Sequence, residues 1–473
     1  MHAKIKILFF VILLFLSFHV STYAQADQDT TMIQPIAETA HELPEAFMVI
    51  PFVLLLLAIA TGPILYKHFW EHNYPIISII LGLITVLYYL IFLGDTHTLL
   101  HTFAEYLSFI ALLSSLFVAS GGILIKVDKK ATPLANVIFL LIGGVLANII
   151  GTTGASMLLI RPFIKMNKDR ISAYHIIFFI FIVSNVGGAL TPIGDPPLFL
   201  GFLRGVNFFW FFENIWFIWL PTILMVAAIF YVVDSRNKKG TESTASDYTG
   251  KIEFRGTKNL LYLGIILISV FIDPAVISWV PSLVPLPFGI REIIMFSVVY
   301  FSYKTADEEI LRDNEFDFEP IKEVAFLFIG IFATMIPALQ LIAHEARLYG
   351  DSLNAGVFYW ATGILSGFLD NAPTFLNFLS AAMGKFGLDI NVQAQVKEFV
   401  VVDEIYLVAI SVAAVFFGAI TYIGNGPNFM VKAISERAGI VMPTFFVYLF
   451  KYAVTVLIPI YIIIWLIFFY GHG

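Results

Sequence analysis

Two stretches of this sequence place polar, oxygen-bearing residues where an apolar chain has least use for them. Residues 188–200 read GALTPIGDPPLFL and residues 418–430 read GAITYIGNGPNFM. Aligned over 188–199 and 418–429, seven of twelve positions are identical. The first copy offers Thr191, Gly194 and Asp195; the second offers Thr421, Gly424, Asn425 and Asn428. A second pair of polar breaks lies in GVLANIIGTT, which starts at Gly144 and holds Asn148, Thr152 and Thr153, and in GFLDNAPTFL, which starts at Gly367 and holds Asp370, Asn371 and Thr374. Hydroxyls, amides and unwound backbone carbonyls are ligands for a small cation. The two acids, Asp195 and Asp370, can hold either a proton or a cation when they lie in low dielectric. If they lie close together they titrate as a pair. Blander roles are open for both: Asp370 as a helix N-cap, Asp195 as a turn residue before proline. Ser184 and Asn185, about one helical turn before the first break, serve equally well as packing behind a site.

The elements that must position these residues are membrane spans. The chain has 473 residues, of which 59% are hydrophobic and 13% charged, about half the charge of a soluble domain. Apolar runs of bilayer-spanning length recur throughout. They predict ten spans at 45–66, 74–94, 104–125, 171–203, 210–234, 258–280, 287–303, 320–343, 398–431 and 443–470. Two further segments, 134–164 and 355–384, are each broken at the middle and read as re-entrant hairpins whose tips are buried in protein. The first residues read as a signal peptide, 1–26: Lys4 and Lys6 precede an apolar run, and small residues surround Ala24 and Ala26. Its removal would leave the mature N-terminus outside the cytoplasm.

Charge tests this layout. With both hairpins returning to their own side, the segments assigned to the cytoplasm hold 19 Lys and Arg, and the outer ones hold five: Arg204, Arg291, Arg347, Lys385 and Lys397. That bias follows the positive-inside rule, and turning either hairpin into a full span destroys it. The soluble parts are small. Residues 235–257 read as a flexible polar linker, and 304–320 as an acidic, solvated loop. His175 and Glu213 read as side chains that snorkel at span ends. Asp273 reads as a helix-end turn, and Glu404 as a weaker candidate on a proton path.

Residues 45–234 read span, span, span, hairpin, broken span, span, and residues 258–470 repeat that order. Five true spans is an odd number, so the second copy enters the membrane upside down, an inverted-topology repeat. Proline and glycine force each crossover to unwind near mid-membrane. The frayed ends present carbonyls to a cation and helix N-termini to an anion. Pseudo-symmetry then brings two crossovers and two hairpin tips to one centre. In the hairpins Asn148 and Asn371 follow Gly144 and Gly367 at the same spacing, which pairs the two asparagines.

SNVGGALTPIGDPP and LDNAPTF resemble the ion transporter superfamily, and GGALTPIGDPP is closest to its NhaD-type sodium/proton antiporters, with a citrate-transporter-like domain. The superfamily also holds arsenite-pump membrane subunits, melanosomal P protein relatives and divalent-anion/sodium symporters. The resemblance covers about 45–470. It implies an all-α polytopic membrane protein with two hairpins and two broken helices, sodium at the tips and unwound loops, a homodimer, and residence in a bacterial inner membrane. The dicarboxylate branch carries Ser-Asn-Thr at both tips. Here the triplets are Ala147-Asn148-Ile149 and Asp370-Asn371-Ala372, so only the Asn persists and an Asp has appeared. A negative group there repels a carboxylate substrate and attracts a cation.

The sequence therefore predicts a secondary transporter that exchanges sodium or lithium for protons, with no cofactor. Sodium is expected at Asn148, Asn371, Asp195 and Asp370, with Asn425, Thr191, Gly194, Thr421, Gly424, Asn428, Thr152, Thr374 and Asn185 around it. Replacing Asp195 or Asp370 by Asn is expected to abolish exchange. The alternatives are a sodium-coupled carboxylate carrier and an arsenite or metalloid exporter. An intramembrane aspartyl protease fits poorly, because Pro192 stands where its Gly-x-Gly-Asp signature needs the first glycine. Cysteine is absent, which excludes disulfides and thiolate chemistry. No nucleotide-binding loop or basic nucleic-acid stripe is present.

Overall fold

The computed structural model describes residues 43–127, 131–237, 251–274, 277, 280–281 and 288–471. The predicted leader, 1–26, and residues 238–250 of the predicted linker lie outside them. The first unit comprises α1 (Ile50–Leu65), α2 (Lys67–Tyr88), α3 (Thr96–Gly121), β1 (Leu124–Val127), α4 (Pro133–Met166), α5 (Ala173–Ile182), α6 (Pro196–Leu203) and α7 (Trp210–Ser235). After β2 (Ile252–Arg255) come α8 (Lys258–Ser269), α9 (Ile290–Thr305), α10 (Glu308–Asp313), α11 (Glu319–Leu348), α12 (Ala355–Phe368), α13 (Asn371–Lys385), α14 (Gln393–Val402), α15 (Glu404–Phe417), α16 (Gly426–Arg437) and α17 (Val454–Phe468).

Among the described residues, eight helices are long and apolar enough to cross a membrane, or nine if the bent pair α14–α15 counts as one span. The chain is an all-α polytopic membrane protein. The eight include α4, predicted as a hairpin; of the ten predicted spans, α8 and α9, with 12 and 16 residues, are each shorter than a full span, and 398–431 enters only as the bent pair. The predicted span at 398–431 begins later than expected: α14 meets α15 at 96°, so the span starts at Glu404. The polar residues 67–73 belong to α2, one helix with the apolar run that follows them.

Helix α4 contains 34 residues, and a straight helix of that length would separate its ends by about 50 Å. Instead Asn136 and Asn167 exchange hydrogen bonds at 2.8 and 2.9 Å, and the rings of Phe139 and Phe163 stack at 5.4 Å. The segment doubles back at Gly151, whose φ of 76° lies in the left-handed region. Helices α12 and α13 do the same through extended Leu369 and Asp370, bringing Phe358 and Phe378 within 6.4 Å.

The two helices that lead into the crossovers are buried on every side: His175 to Ile182 in α5 and Tyr406 to Phe417 in α15. A helix apolar all round belongs at the centre, so the crossovers are held in the core. Two segments predicted to be loose are docked. β1 pairs antiparallel with β2, Leu124 opposite Arg255, so the end of the linker is a strand. The acidic loop 304–320 folds onto that ribbon: Arg255 reaches Glu309 at 2.6 Å and Lys126 reaches Asp313 at 3.1 Å. Asn314 donates to the carbonyls of Gly121 and Ile123.

Candidate functional site

Each crossover begins where a buried helix gives out. After α5 the chain makes one 3-10 turn, Val186–Leu190, and then a tight turn between extended Thr191 and extended Asp195, in which Gly194 N donates to the Thr191 carbonyl at 2.9 Å; Pro196 starts α6. After α15 it turns through Gly418–Ile420 and starts α16 behind Asn425. The two backbones match closely. Thr191 has φ −141° and ψ 154°, Thr421 −131° and 168°; Asp195 has −143° and 144°, Asn425 −152° and 140°. The threonines act alike. Thr191 Oγ1 accepts from Gly194 N at 3.1 Å, and Thr421 Oγ1 accepts from Gly424 N at 3.1 Å.

Those hydroxyls also fix the register against the folded-back segments. Thr191 Oγ1 donates to the carbonyl of Asn148, and Thr421 Oγ1 donates to the carbonyl of Gly367, both at 2.6 Å. Asn148 therefore plays the part in the first segment that Gly367 plays in the second, and four residues on Thr152 and Asn371 play matching parts, each donating to the Asp195 carboxylate. The sequence pairing of Asn148 with Asn371 is four residues out of step, because matching Gly-x-x-x-Asn ignores where each segment turns.

Asp195 lies at the meeting point of all four breaks. It is buried, and its carboxylate accepts three hydrogen bonds from neutral side chains. Thr152 Oγ1 donates to Oδ1 at 2.7 Å, Asn425 Nδ2 donates to Oδ1 at 3.0 Å, and Asn371 Nδ2 donates to Oδ2. One donor thus comes from each folded-back segment and one from the other crossover. Asn371 is also buried, and its Oδ1 has no hydrogen-bond partner among the described residues. A buried, unpartnered carbonyl oxygen costs about 1–3 kcal/mol, and here it belongs to the amide that grips the carboxylate.

The remaining predicted residues brace this centre. Asn148 ties the first crossover: its Nδ2 donates to the carbonyls of Gly144 and Gly187, and its Oδ1 accepts from Leu190 N at 2.8 Å. Gly194 accepts from Thr152 N at 2.8 Å. Asn428 donates to the carbonyls of Gly418 and Thr421 and accepts from Asn185 Nδ2 at 2.7 Å. Asn425 Nδ2 also reaches Asn185 Oδ1 and the Ser184 carbonyl. Asp370 is half-buried and caps α13, its Oδ1 accepting from Ala372 N at 3.0 Å, while Thr374 donates back to its carbonyl. Neither Asp370 nor Thr374 is among the hydrogen-bond donors to Asp195.

Over residues 40–469 the chain matches the family model described as "Putative citrate transport". It belongs to that family. Two uncharacterized transporters, from Mycobacterium bovis and Mycobacterium tuberculosis, are each 24% identical to it over 322 residues, which cover 66% of this chain and 71% of theirs. A multi-pass transporter, rather than an enzyme, is what these relatives and the apolar helices support.

Several buried ionic residues of this citrate-transport family member were missed. His175 does not snorkel: it is fully buried, with Nε2 3.1 Å from Asp234, which also accepts from Tyr174, Asn136 and Arg170. Arg204 and Arg291, counted above as outer charges, are 4% and 7% exposed. Arg204 pairs with Glu105, and Arg291 pairs with Asp273 and Glu292. The available signal was that charges beside apolar runs are costly unless paired.

Proposed function

We propose that this chain is a secondary active transporter in which Asp195 binds a monovalent cation, sodium or lithium, in exchange for a proton. The two folded-back segments act as re-entrant hairpins, and the two halves form an inverted repeat around Asp195. One observation carries the reading: among the described residues, a buried carboxylate at the junction of four backbone breaks receives only neutral donors, and the neighbouring Asn371 Oδ1 has no hydrogen-bond partner. Protonation neutralises the carboxyl, and a cation does the same while drawing on Asn371 Oδ1. The two occupants are mutually exclusive on one group, which is the requirement for exchange. An organic anion would approach Asp195 without a side-chain cation among its hydrogen-bond partners.

The second reading, sodium-coupled citrate transport, rests on the family match. Purified protein in vesicles separates the two. Antiport predicts that imposed sodium or lithium gradients move protons, and that Asp195→Asn abolishes this while the protein remains inserted and folded. Sodium-dependent uptake of labelled citrate with no cation-driven proton flux would replace the antiport reading.

A further inference from the structure

We infer that Arg204 and Glu105 are positioning residues for Asp195: their ion pair anchors the far end of α6 and so holds the carboxylate against its donors. The inference rests on Asp195 being the exchanging group. Helix α6 has eight residues and is about 12 Å long. Asp195 is its N-cap and Arg204 its C-cap, so displacing one end of this short rod displaces the other. The chain leaves α6 through Gly205, whose φ of 112° ends the helix there.

Arg204 grips two elements outside α6. Its Nη2 donates to Glu105 Oε2 at 2.7 Å, and its Nε lies 2.6 Å from Glu105 Oε1, a close ion pair with α3. Its Nη1 donates to Asn391, in the loop that follows α13. Arg204 and Glu105 are 4% and 6% exposed. Removing one partner of such a buried pair strands the other charge, so this pairing holds one arrangement of α3, α6 and the α13 exit. The matching helix of the second half lacks the device. Ile434 occupies the position equivalent to Arg204, nine residues after Asn425, and α16 carries the more exposed pair Lys432–Glu436 instead. The anchor occurs in the half that carries the carboxylate.

The absence of cysteine permits a direct test. Leu198, fully buried in α6, is replaced by Cys as a reporter. Membrane-impermeant thiol reagents are applied to vesicles carrying the parent, the neutral pair Glu105→Gln/Arg204→Gln, or the swapped pair Glu105→Arg/Arg204→Glu. The neutral pair should label about tenfold faster and show a cation KM about tenfold higher at a nearly unchanged maximal rate, as expected when a reacting group is mispositioned. The swapped pair should restore both readouts. Unchanged labelling and KM in the neutral pair, a lower melting temperature alone, or a swapped pair that behaves like the neutral one overturns the inference. Labelling does not depend on transport, so it judges the anchor even if Asp195→Asn retains exchange and thereby removes the antiport reading.

Discussion

In the first crossover Asp195 stands before α6; at the matching place in the second, Asn425 stands before α16 with nearly the same backbone angles. The folded-back segments differ in the same way. The first presents a hydroxyl, Thr152, and the second an amide, Asn371, to the same carboxylate. The shared features are backbone devices: a threonine hydroxyl that accepts from the glycine N–H three residues on, and a helix restarted by proline. What has diverged are the groups at the centre. A symmetric centre with two facing aspartates would confront like charges at hydrogen-bond distance, which the interior disfavours strongly. One carboxylate against one amide removes that repulsion and leaves one carboxylate in the hydrogen-bonded set. Asymmetry at one position therefore decides what a nearly symmetric scaffold can bind.

The two halves differ most in consequence at that position. Asp195→Asn should abolish sodium- or lithium-driven proton movement, by a hundredfold or roughly more, since the proposed exchange has no other carboxylate in the hydrogen-bonded set. Because Asn425 Nδ2 is 3.0 Å from Asp195 Oδ1, exchanging the two residues keeps an amide–carboxylate pair. Asp195→Asn/Asn425→Asp should regain about a tenth of the parent rate in the vesicle assay. If the swapped protein is as inactive as the single variant, the pseudo-symmetry does not extend to function.

The next effect ranks the two folded-back segments. Asn371→Ala removes both the donor to Asp195 Oδ2 and the unpartnered Oδ1, whereas Thr152→Val removes one donor. Hydrogen bonds to charged groups are worth about 1.5–3 kcal/mol, about tenfold to a hundredfold in affinity. Cation KM should rise toward the upper end for Asn371→Ala and the lower end for Thr152→Val. Equal effects would mean that Asn371 contributes only its N–H.

Much of this centre was legible in the sequence because its signals are local. Proline and glycine inside apolar runs announced all four breaks, and the repeated crossover motif predicted that the two crossovers would meet at one centre. The hairpin register was not legible. Gly-x-x-x-Asn occurs in both segments, but the turn is set by the left-handed φ of Gly151 in one and by extended Leu369 and Asp370 in the other. The similarity of letters therefore points four residues away from the similarity of position. The β1–β2 pairing and the Arg204–Glu105 bond were hidden for another reason. Each joins residues about a hundred or more positions apart, and neither partner carries a local mark of the other. Positive charges near span ends read as solvated until the fold shows what they meet.

A smaller effect separates the two turns. A Cβ on Gly151 would lie 3.2 Å from the Ile193 carbonyl and force a left-handed φ on an L-residue. Gly151→Ala should destabilise the protein by about 1–2 kcal/mol. A Cβ on Gly367 meets nothing closer than 3.4 Å on a helical backbone. Gly367→Ala should be neutral within about 0.5 kcal/mol. Thermal melting in detergent measures both, and equal losses would show that the first turn has no special need for glycine.

The smallest effect concerns the other candidate acid. Asp370 caps α13 through Ala372 N, and it is its neighbour Asn371 that donates a hydrogen bond to Asp195. Asparagine caps a helix about as well as aspartate, while alanine forfeits about 0.5–2 kcal/mol. Asp370→Asn should therefore preserve the melting temperature and change cation KM by less than about threefold, whereas Asp370→Ala should lower the melting temperature with KM little altered. A loss of exchange in Asp370→Asn as complete as in Asp195→Asn would show that both carboxyls carry the ion. The negative charge would then be shared by two elements, a crossover of one half and a folded-back segment of the other.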